Sequence, residues 1–176
     1  MSISITTPRL TLRQITESDW PLFLRLHTEV RVIEKCFDQP SVDDIRAKFS
    51  SRLPRWSVTS GAWLCLVIID SETNQAVGIT GFDYDGRSAE VGYLLLPEHF
   101  GLGYATESLQ SVITWATRVH LISLFQGIVT EGNADSDKVL AKCGFKLHEV
   151  IADAYRIGGV LYADRIYKLN TSSLDS

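Results

Sequence analysis

Two glycines spaced one residue apart, Gly101 and Gly103, stand between an apolar run that stops at Pro97 and a helical pattern that starts at Tyr104. Glycine has no Cβ, so the backbone there can approach a ligand closely. The N–H groups of a helix's first turn have no partner inside the helix, and together with its dipole they favour an anion. The anion most often held by such a loop is a pyrophosphate. Gly-x-Gly alone carries little weight, because a tight strand-to-helix connection accounts for it at least as well. Two familiar phosphate loops fit poorly. A Walker A loop needs Gly-Lys-Ser/Thr, which is absent. A dinucleotide fingerprint needs a third small residue where Thr106 stands, and glycines directly after the strand, whereas residues 97–100 intervene. The histidines, His27, His99, His120 and His148, lack metal-ligand spacing, and no metal is expected. Cys36, Cys65 and Cys143 are odd in number and far apart, which suggests neither a disulfide framework nor a metal site.

The elements that must position this loop follow from periodicity. Residues 9–15 alternate as a half-buried strand does. Thr16 to Asp19 has the form of a capping box, and Leu22, Phe23, Leu26 and Val30 form the helical stripe behind it. A second helix starts at Ser41 and carries Val42, Ile45, Phe49, Leu53 and Trp56 along one face. Residues 62–69 are apolar on both faces, as in a covered central strand. Residues 75–84 make its hairpin partner, and 89–96 the next strand. Leu109, Val112, Ile113 and Ala116 then repeat at helical spacing. Residues 124–130 form a strand that should run parallel to 89–96. A shorter helix begins near Asn133 and ends at Gly144-Phe145. Strands over 146–157 and 160–169 flank the hairpin signal Gly158-Gly159. No repeat, low-complexity tract or linker divides residues 1–176, which read as one domain.

With these elements in order, the chain resembles the GNAT superfamily of acetyltransferases, and within it the ribosomal-protein serine/alanine N-acetyltransferase (RimJ/RimL-like) type. The family signature, Gln/Arg-x-x-Gly-x-Gly/Ala, is matched from its second position onward by Phe100 to Ala105. The opening Thr7-Pro8-Arg9-Leu10-Thr11-Leu12-Arg13, then Asn133-Ala134-Asp135-Ser136, then Lys142-Cys143-Gly144-Phe145 are similar to further family elements in the same order. The resemblance implies an α/β fold: a mostly antiparallel twisted sheet of about seven strands, a central splayed parallel pair, and about four flanking helices. It implies acetyl-CoA as co-substrate, its pyrophosphate on the amides of Gly101, Leu102, Gly103, Tyr104 and Ala105. Main-chain groups of Leu94 and Leu95 would pair with the pantetheine arm, and Asn133 would contact the pantetheine or thioester end. Two departures stand out. Phe100 replaces the family's Gln or Arg, and Leu140 stands where many relatives carry a tyrosine proton donor. Ser136 is the expected replacement donor.

Amide formation from a thioester needs a neutral amine. Deprotonation at pH 7 costs roughly 1.4 kcal/mol for an α-amino group and roughly 4.6 kcal/mol for a lysine. A carboxylate that accepts this proton lowers the cost. Glu90 is the candidate general base, since it lies on the strand leading into the loop. A thiolate leaving group needs little help, so a weak acid such as Ser136 is sufficient. Backbone N–H groups by Leu94 and Leu95 are candidates for stabilising the oxyanion.

Composition bounds the partners. The chain is 45% hydrophobic and 22% charged, with a net charge of −4 and no cluster of Lys and Arg. That argues against nucleic acid and membrane surfaces. Residues 1–5 lack the pattern of a signal peptide, and a cytoplasmic monomer or homodimer is expected. The expected acceptor is an amine, foremost a protein N-terminal α-amino group, for which a basic ribosomal protein is compatible with the acidic balance. The alternatives are a small amine, such as a polyamine, amino sugar or free amino acid, and a non-catalytic acyl-CoA-binding sensor module.

Overall fold

Residues 64–70 read Leu-Cys-Leu-Val-Ile-Ile-Asp, and both sides of this stretch are buried. Leu64, Leu66 and Ile68 point into one apolar cluster, while Cys65 and Val67 point into another. A strand apolar on both faces must lie between two layers, and the computed structural model, which describes residues 2–174, is built that way. The strands are β1 (Ser4–Thr6), β2 (Leu10–Gln14), β3 (Leu64–Asp70) and β4 (Ala76–Tyr84), followed by β5 (Ala89–Leu95), β6 (Leu124–Thr130), β7 (Lys146–Ile157) and β8 (Val160–Asn170). They form one sheet in the order β1-β2-β3-β4-β5-β6-β8-β7. Every neighbouring pair is antiparallel except β5 and β6.

The helices are α1 (Trp20–Thr28), α2 (Val30–Ile33), α3 (Val42–Ser51), α4 (Tyr104–His120) and α5 (Ala134–Lys142). The core beneath α1 to α3 gathers Phe23, Leu26, Ile45 and Phe49 with Val67 and Ile79. The opposite core joins Leu109, Val112, Ile113 and Leu140 of α4 and α5 to Leu66, Phe82 and Phe125. Local signals start the helices. Ser41 Oγ accepts the Asp44 N–H at 3.1 Å, which caps α3. The Thr16 N–H donates to Asp19 Oδ2 at 2.8 Å, and Arg13 grips the same carboxylate at 2.7 and 2.9 Å.

The parallel pairing of residues 89–96 with 124–130 holds. Four expectations need adjustment. The sheet has eight strands rather than about seven, because β1 is only three residues long, too short to show alternation. The helices number five rather than about four. The first helix stops at Thr28, and Val30, expected on its buried stripe, opens the short α2 and is 64% exposed. The second ends at Ser51, since Pro54 cannot continue it and its ring disfavours helical geometry in the residue before it. Trp56 therefore crosses to the other layer and meets Phe82 edge to face, at 5.5 Å between ring centroids.

His27 is the polar member of the α1 core. It is 2% exposed, stacked on Phe23 with the centroids 4.2 Å apart, and its Nδ1 lies 2.7 Å from the Phe23 carbonyl oxygen, so that nitrogen carries the proton. Burial, with the charges of Lys48 and Arg52 adding to it, lowers its pKa from 6.5 to about 4. Between those values the unfolded chain binds the proton more readily than the folded one. Stability is therefore full above pH 6.5 and declines as pH falls toward 4. Going from pH 7 to pH 5 should cost about 2 kcal/mol through this group. Urea unfolding at the two pH values checks it: His27→Gln should shrink the drop, and an equal drop in both proteins would refute the assignment.

Candidate active site

Strands β5 and β6 are joined at two register positions only, Ala89 with Phe125 and Glu90 with Gln126. Beyond them the strands part. Each is fixed from its other side: β5 stays in register with β4 from Ala89 to Leu95, and β6 with β8 from Leu124 to Thr130. Neither can swing across to close the gap, so the main-chain edges facing it have no strand partner. Helix α5 overlies the opening. Leu140 packs so closely on Gly127 that a Cβ there would lie 2.7 Å from Leu140 Cδ1. Tyr93, from β5, reaches toward α5, and its hydroxyl donates a long hydrogen bond to the Ser136 carbonyl at 3.4 Å.

At the mouth of the gap lies the glycine loop. Gly101 and Gly103 have φ of 74° and 81°, which other residues adopt at a cost. The first bond of α4 runs from the Glu107 N–H to the Gly103 carbonyl at 3.0 Å. The amides of Tyr104, Ala105 and Thr106 thus lie in the first turn without an intrahelical acceptor. A clamp holds the loop. Arg9 Nε donates to Glu107 Oε1 at 2.7 Å, Arg9 Nη1 to the Leu102 carbonyl at 2.8 Å, and Thr7 Oγ1 to Glu107 Oε2 at 2.6 Å. The Arg9 guanidinium also lies over the Tyr104 ring, 4.6 Å from its centroid, and the Tyr104 hydroxyl donates to Asp70 at 2.8 Å.

The loop and gap open into a groove of about 680 Å³. Leu94, Leu95, Gly101, Gly103, Tyr104 and Ala105 line it, facing Asn133 and Ser136 of the α5 start. Arg31, Lys35, Lys138 and Lys142 stand around it, against the two carboxylates Glu34 and Asp135. Leu102 is not part of this lining, since its carbonyl is turned to Arg9. A second cavity, of about 340 Å³, passes through the sheet at the gap. It shares Lys35, Cys36, Tyr93, Leu94, Asn133 and Ser136 with the groove, so the two meet there. On the far face it is walled by His27, Lys48 and Arg52 from the α1–α3 layer and by Trp63. Trp56 is not among its lining residues.

Asn133 caps α5, its side chain accepting the Ser136 N–H at 3.4 Å. Ser136 therefore receives the cap, and it lines both cavities. Glu90 lines neither. It lies in the row Asp83–Glu90–Gln126, at the closed end of the gap. Burial, then the neighbouring Asp83 charge, raise its pKa, opposed by a hydrogen bond from Gln126. Gly92, two residues along the same face, is covered by the Trp63 ring. Tyr93 was not expected from the sequence. Alternation alone puts it among the apolar residues of β5, with nothing to separate it from Val91. Burial pushes its phenol well above the usual tyrosine range. Among the described residues no group of three or more His, Cys, Asp and Glu could hold a metal, and no helix is long and apolar enough to cross a membrane.

Residues 9–146 match the family model described as an acetyltransferase (GNAT) domain. The chain is 24% identical over 179 residues to the uncharacterized N-acetyltransferase YoaA of Bacillus subtilis, covering 94% of this chain and 95% of YoaA. Among solved structures it is similar to RimL, a ribosomal L7/L12 α-N-protein acetyltransferase in complex with coenzyme A. That likeness has a TM-score of 0.83 at 20% identity, over 97% of this chain and 99% of that one. It is also similar to spermidine N-acetyltransferase from Vibrio cholerae in complex with CoA and spermine. There the TM-score is 0.82 at 18% identity, over 97% of this chain and all of that one.

The clamp generates a prediction. Its ion pair is half exposed and worth about 1 kcal/mol or less, so Glu107→Gln should raise the Kd for coenzyme A by up to about 5-fold. Isothermal titration checks it. Unchanged affinity in a normally folded variant would show that the loop needs no external hold.

Proposed function

The chain belongs to the GNAT acetyltransferase family, and from that premise we propose that it transfers the acetyl group of acetyl-CoA to an α-amino group, within the gap between β5 and β6. The observation that carries this reading is the early parting of the two parallel strands, with the unpaired amides of the α4 start at one mouth of the opening. An elongated thioester fits such a site. The amides of Gly101, Gly103, Tyr104 and Ala105 take its diphosphate. The cations Arg31, Lys138 and Lys142 balance the phosphate charge. The β5 edge at Leu94 and Leu95 pairs with the pantetheine amides. Asn133, Ser136 and Tyr93 then surround the thioester end.

The amine enters from the cavity on the α1–α3 side. As the ammonium loses its proton, its nitrogen attacks the thioester carbonyl, the C–N bond forms, and the C–S bond breaks to release a thiolate. Glu90 accepts the proton through water, because it stands two residues, about 7 Å, from Gly92 at the cavity wall. Its raised pKa suits a base better than that of an exposed glutamate. The second proton of the attacking nitrogen goes to the departing thiolate, and two hydroxyls are available to relay it, those of Ser136 and Tyr93. The tyrosine phenol occupies, from β5, the region that Leu140 leaves without a polar group. Among amines, an α-amino group costs the least to deprotonate, about 3 kcal/mol less than a lysine. A protein N-terminus is one such acceptor, and the likeness to RimL supports it. The small-amine alternative is supported by the likeness to the spermidine enzyme.

The test is coenzyme A thiol release from acetyl-CoA, across N-terminal peptides and small amines. Glu90→Gln should lower kcat by about 100-fold or more with coenzyme A affinity retained. The acid limb of the kcat/KM profile should lie above the ordinary glutamate value of about 4.3 and should vanish in the variant. An unchanged profile would remove Glu90 from the chemistry. Tight acetyl-CoA binding with no release on any amine would favour the sensor module instead.

A further inference from the structure

The cavity that meets the thioester gap from the α1–α3 side has a one-sided charge. Its lining includes Lys35, Lys48 and Arg52, and among the described residues no Asp or Glu belongs to it. Five arginines elsewhere in the molecule find carboxylates: Arg9 pairs with Glu107, Arg13 with Asp19, Arg25 with Glu29 and Glu98, Arg46 with Glu17, and Arg165 with Asp137. Arg52 pairs with none of them. Its guanidinium lies over the Trp63 ring at 5.2 Å and the Phe23 ring at 5.6 Å, and its Nε is buried with no hydrogen-bond partner among the described residues. Lys48 is close enough that burial and the Arg52 charge together lower its pKa. Its Nζ rests 5.8 Å from the centroid of the Phe37 ring. His27, beside them, stays neutral.

Asp19, Asp38 and Asp164 are engaged or lie outside the lining. Asp19 is held by Arg13 and Thr16, Asp38 accepts the Gly158 N–H at 2.8 Å, and Asp164 pairs across from Thr130 on β8 without lining the cavity. Two cations gathered on an aromatic wall, with a buried donor unanswered, are costly unless an anion meets them. Trp63 links this cluster to the reaction gap, since its ring is 5.2 Å from Arg52 and 3.3 Å from where a Cβ on Gly92 would stand, next to Tyr93.

On the reading of the gap as an acetyl-transfer site, we propose that the acceptor is a small amine that carries its own anionic group, a carboxylate of amino-acid size. Arg52 and Lys48 hold the anion against Trp63, and the amino nitrogen points to Tyr93 and Ser136. A cavity of about 340 Å³ is at the lower end of small-ligand sites, which suits such a molecule. A polyamine would bring two further positive charges to a wall that already has three.

The experiment compares matched acceptors with the intact enzyme and acetyl-CoA, reading thiol release. Free amino acids are set against their own carboxamides, with spermidine, phosphoethanolamine, and peptides with an acidic or a basic second residue as further arms. The expected result is a kcat/KM at least 10-fold higher for the acids than for the amides, although the amides give up their ammonium proton more easily, with spermidine the poorest acceptor. Arg52→Gln, and separately the exposed Lys48→Gln, should collapse that ratio toward one. The Lys48 variant keeps the test valid if Arg52→Gln fails to fold. Preference for phosphoethanolamine over every carboxylate, or for acidic peptides over free amino acids, would overturn the carboxylate or the small size respectively. Amides or spermidine turned over as fast as the acids, or a ratio untouched by both substitutions, would overturn the anionic acceptor while leaving the acetyltransferase standing. Coenzyme A binding without release from any arm would overturn both.

Discussion

A parallel pair of strands that is hydrogen-bonded at Ala89 and Glu90 and nowhere beyond is the constraint on which the rest of this molecule turns. Main-chain donors and acceptors in a protein interior are costly when unpaired, so a sheet does not ordinarily open at its centre. Here it does because each strand is saturated from its outer side. β4 holds β5 along its full length, β8 holds β6, and Leu140 and Tyr93 fill the wedge under α5. The result is two rigid half-sheets with a slot between them. A ligand with amides along its length can pair with the slot as a strand would, which is why the opening is better matched to a pantetheine arm than to a compact molecule.

The slot is useful only if its ends differ, and the sequence makes them differ by local means. At one end the left-handed glycines turn the chain abruptly into α4, leaving three amides without an intrahelical acceptor. The Arg9–Glu107 pair ties that turn to the segment before β2, a hundred residues away in sequence. This gives the opening Thr7-Pro8-Arg9 a physical reason: it braces the glycine loop through Glu107 and the Leu102 carbonyl. At the other end the wall is made of side chains from α3 and β3. In the proposed reaction, coenzyme and acceptor would approach from opposite faces of one sheet and meet where the two cavities share Tyr93 and Ser136.

How much of this was legible in the sequence depended on the range of the interactions. Residues 124–130 and the hairpin over 146–157 and 160–169 were readable almost to the residue, because strand periodicity and Gly158-Gly159 are local signals. The glycine loop was readable for the same reason. β1 and α2 were not, since three or four residues carry no period. Trp56 was misplaced because the helical stripe seemed to run on through Pro54, a residue that ends it. Tyr93 and the Lys48–Arg52 cluster were invisible for a different reason. Their chemistry arises where β5, α3 and α5 converge, and no spacing along the chain encodes that convergence. Glu90 was readable as a carboxylate on the right strand. Its position at the closed end of the gap was not, and that position makes any role in proton transfer one through water.

Net charge illustrates the same limit and shows how it is resolved. A total of −4 argues against phosphate ligands if charge is taken as uniform. Six of the 17 cations are nonetheless gathered where the two cavities lie: Arg31, Lys138 and Lys142 at the groove, Lys48 and Arg52 on the α1–α3 side, and Lys35 in both walls. Narrow openings with low-dielectric walls focus a field that the net charge does not reveal. The carboxylates that make the chain acidic do other work, as Asp19, Glu98, Glu107 and Asp137 pair with arginines that hold elements together. Those four acid residues stabilise the frame, while bases that outnumber Glu34 and Asp135 line the two cavities. An anionic donor and an anionic acceptor would be drawn from opposite faces to the same slot, and a polycation would be turned away from both.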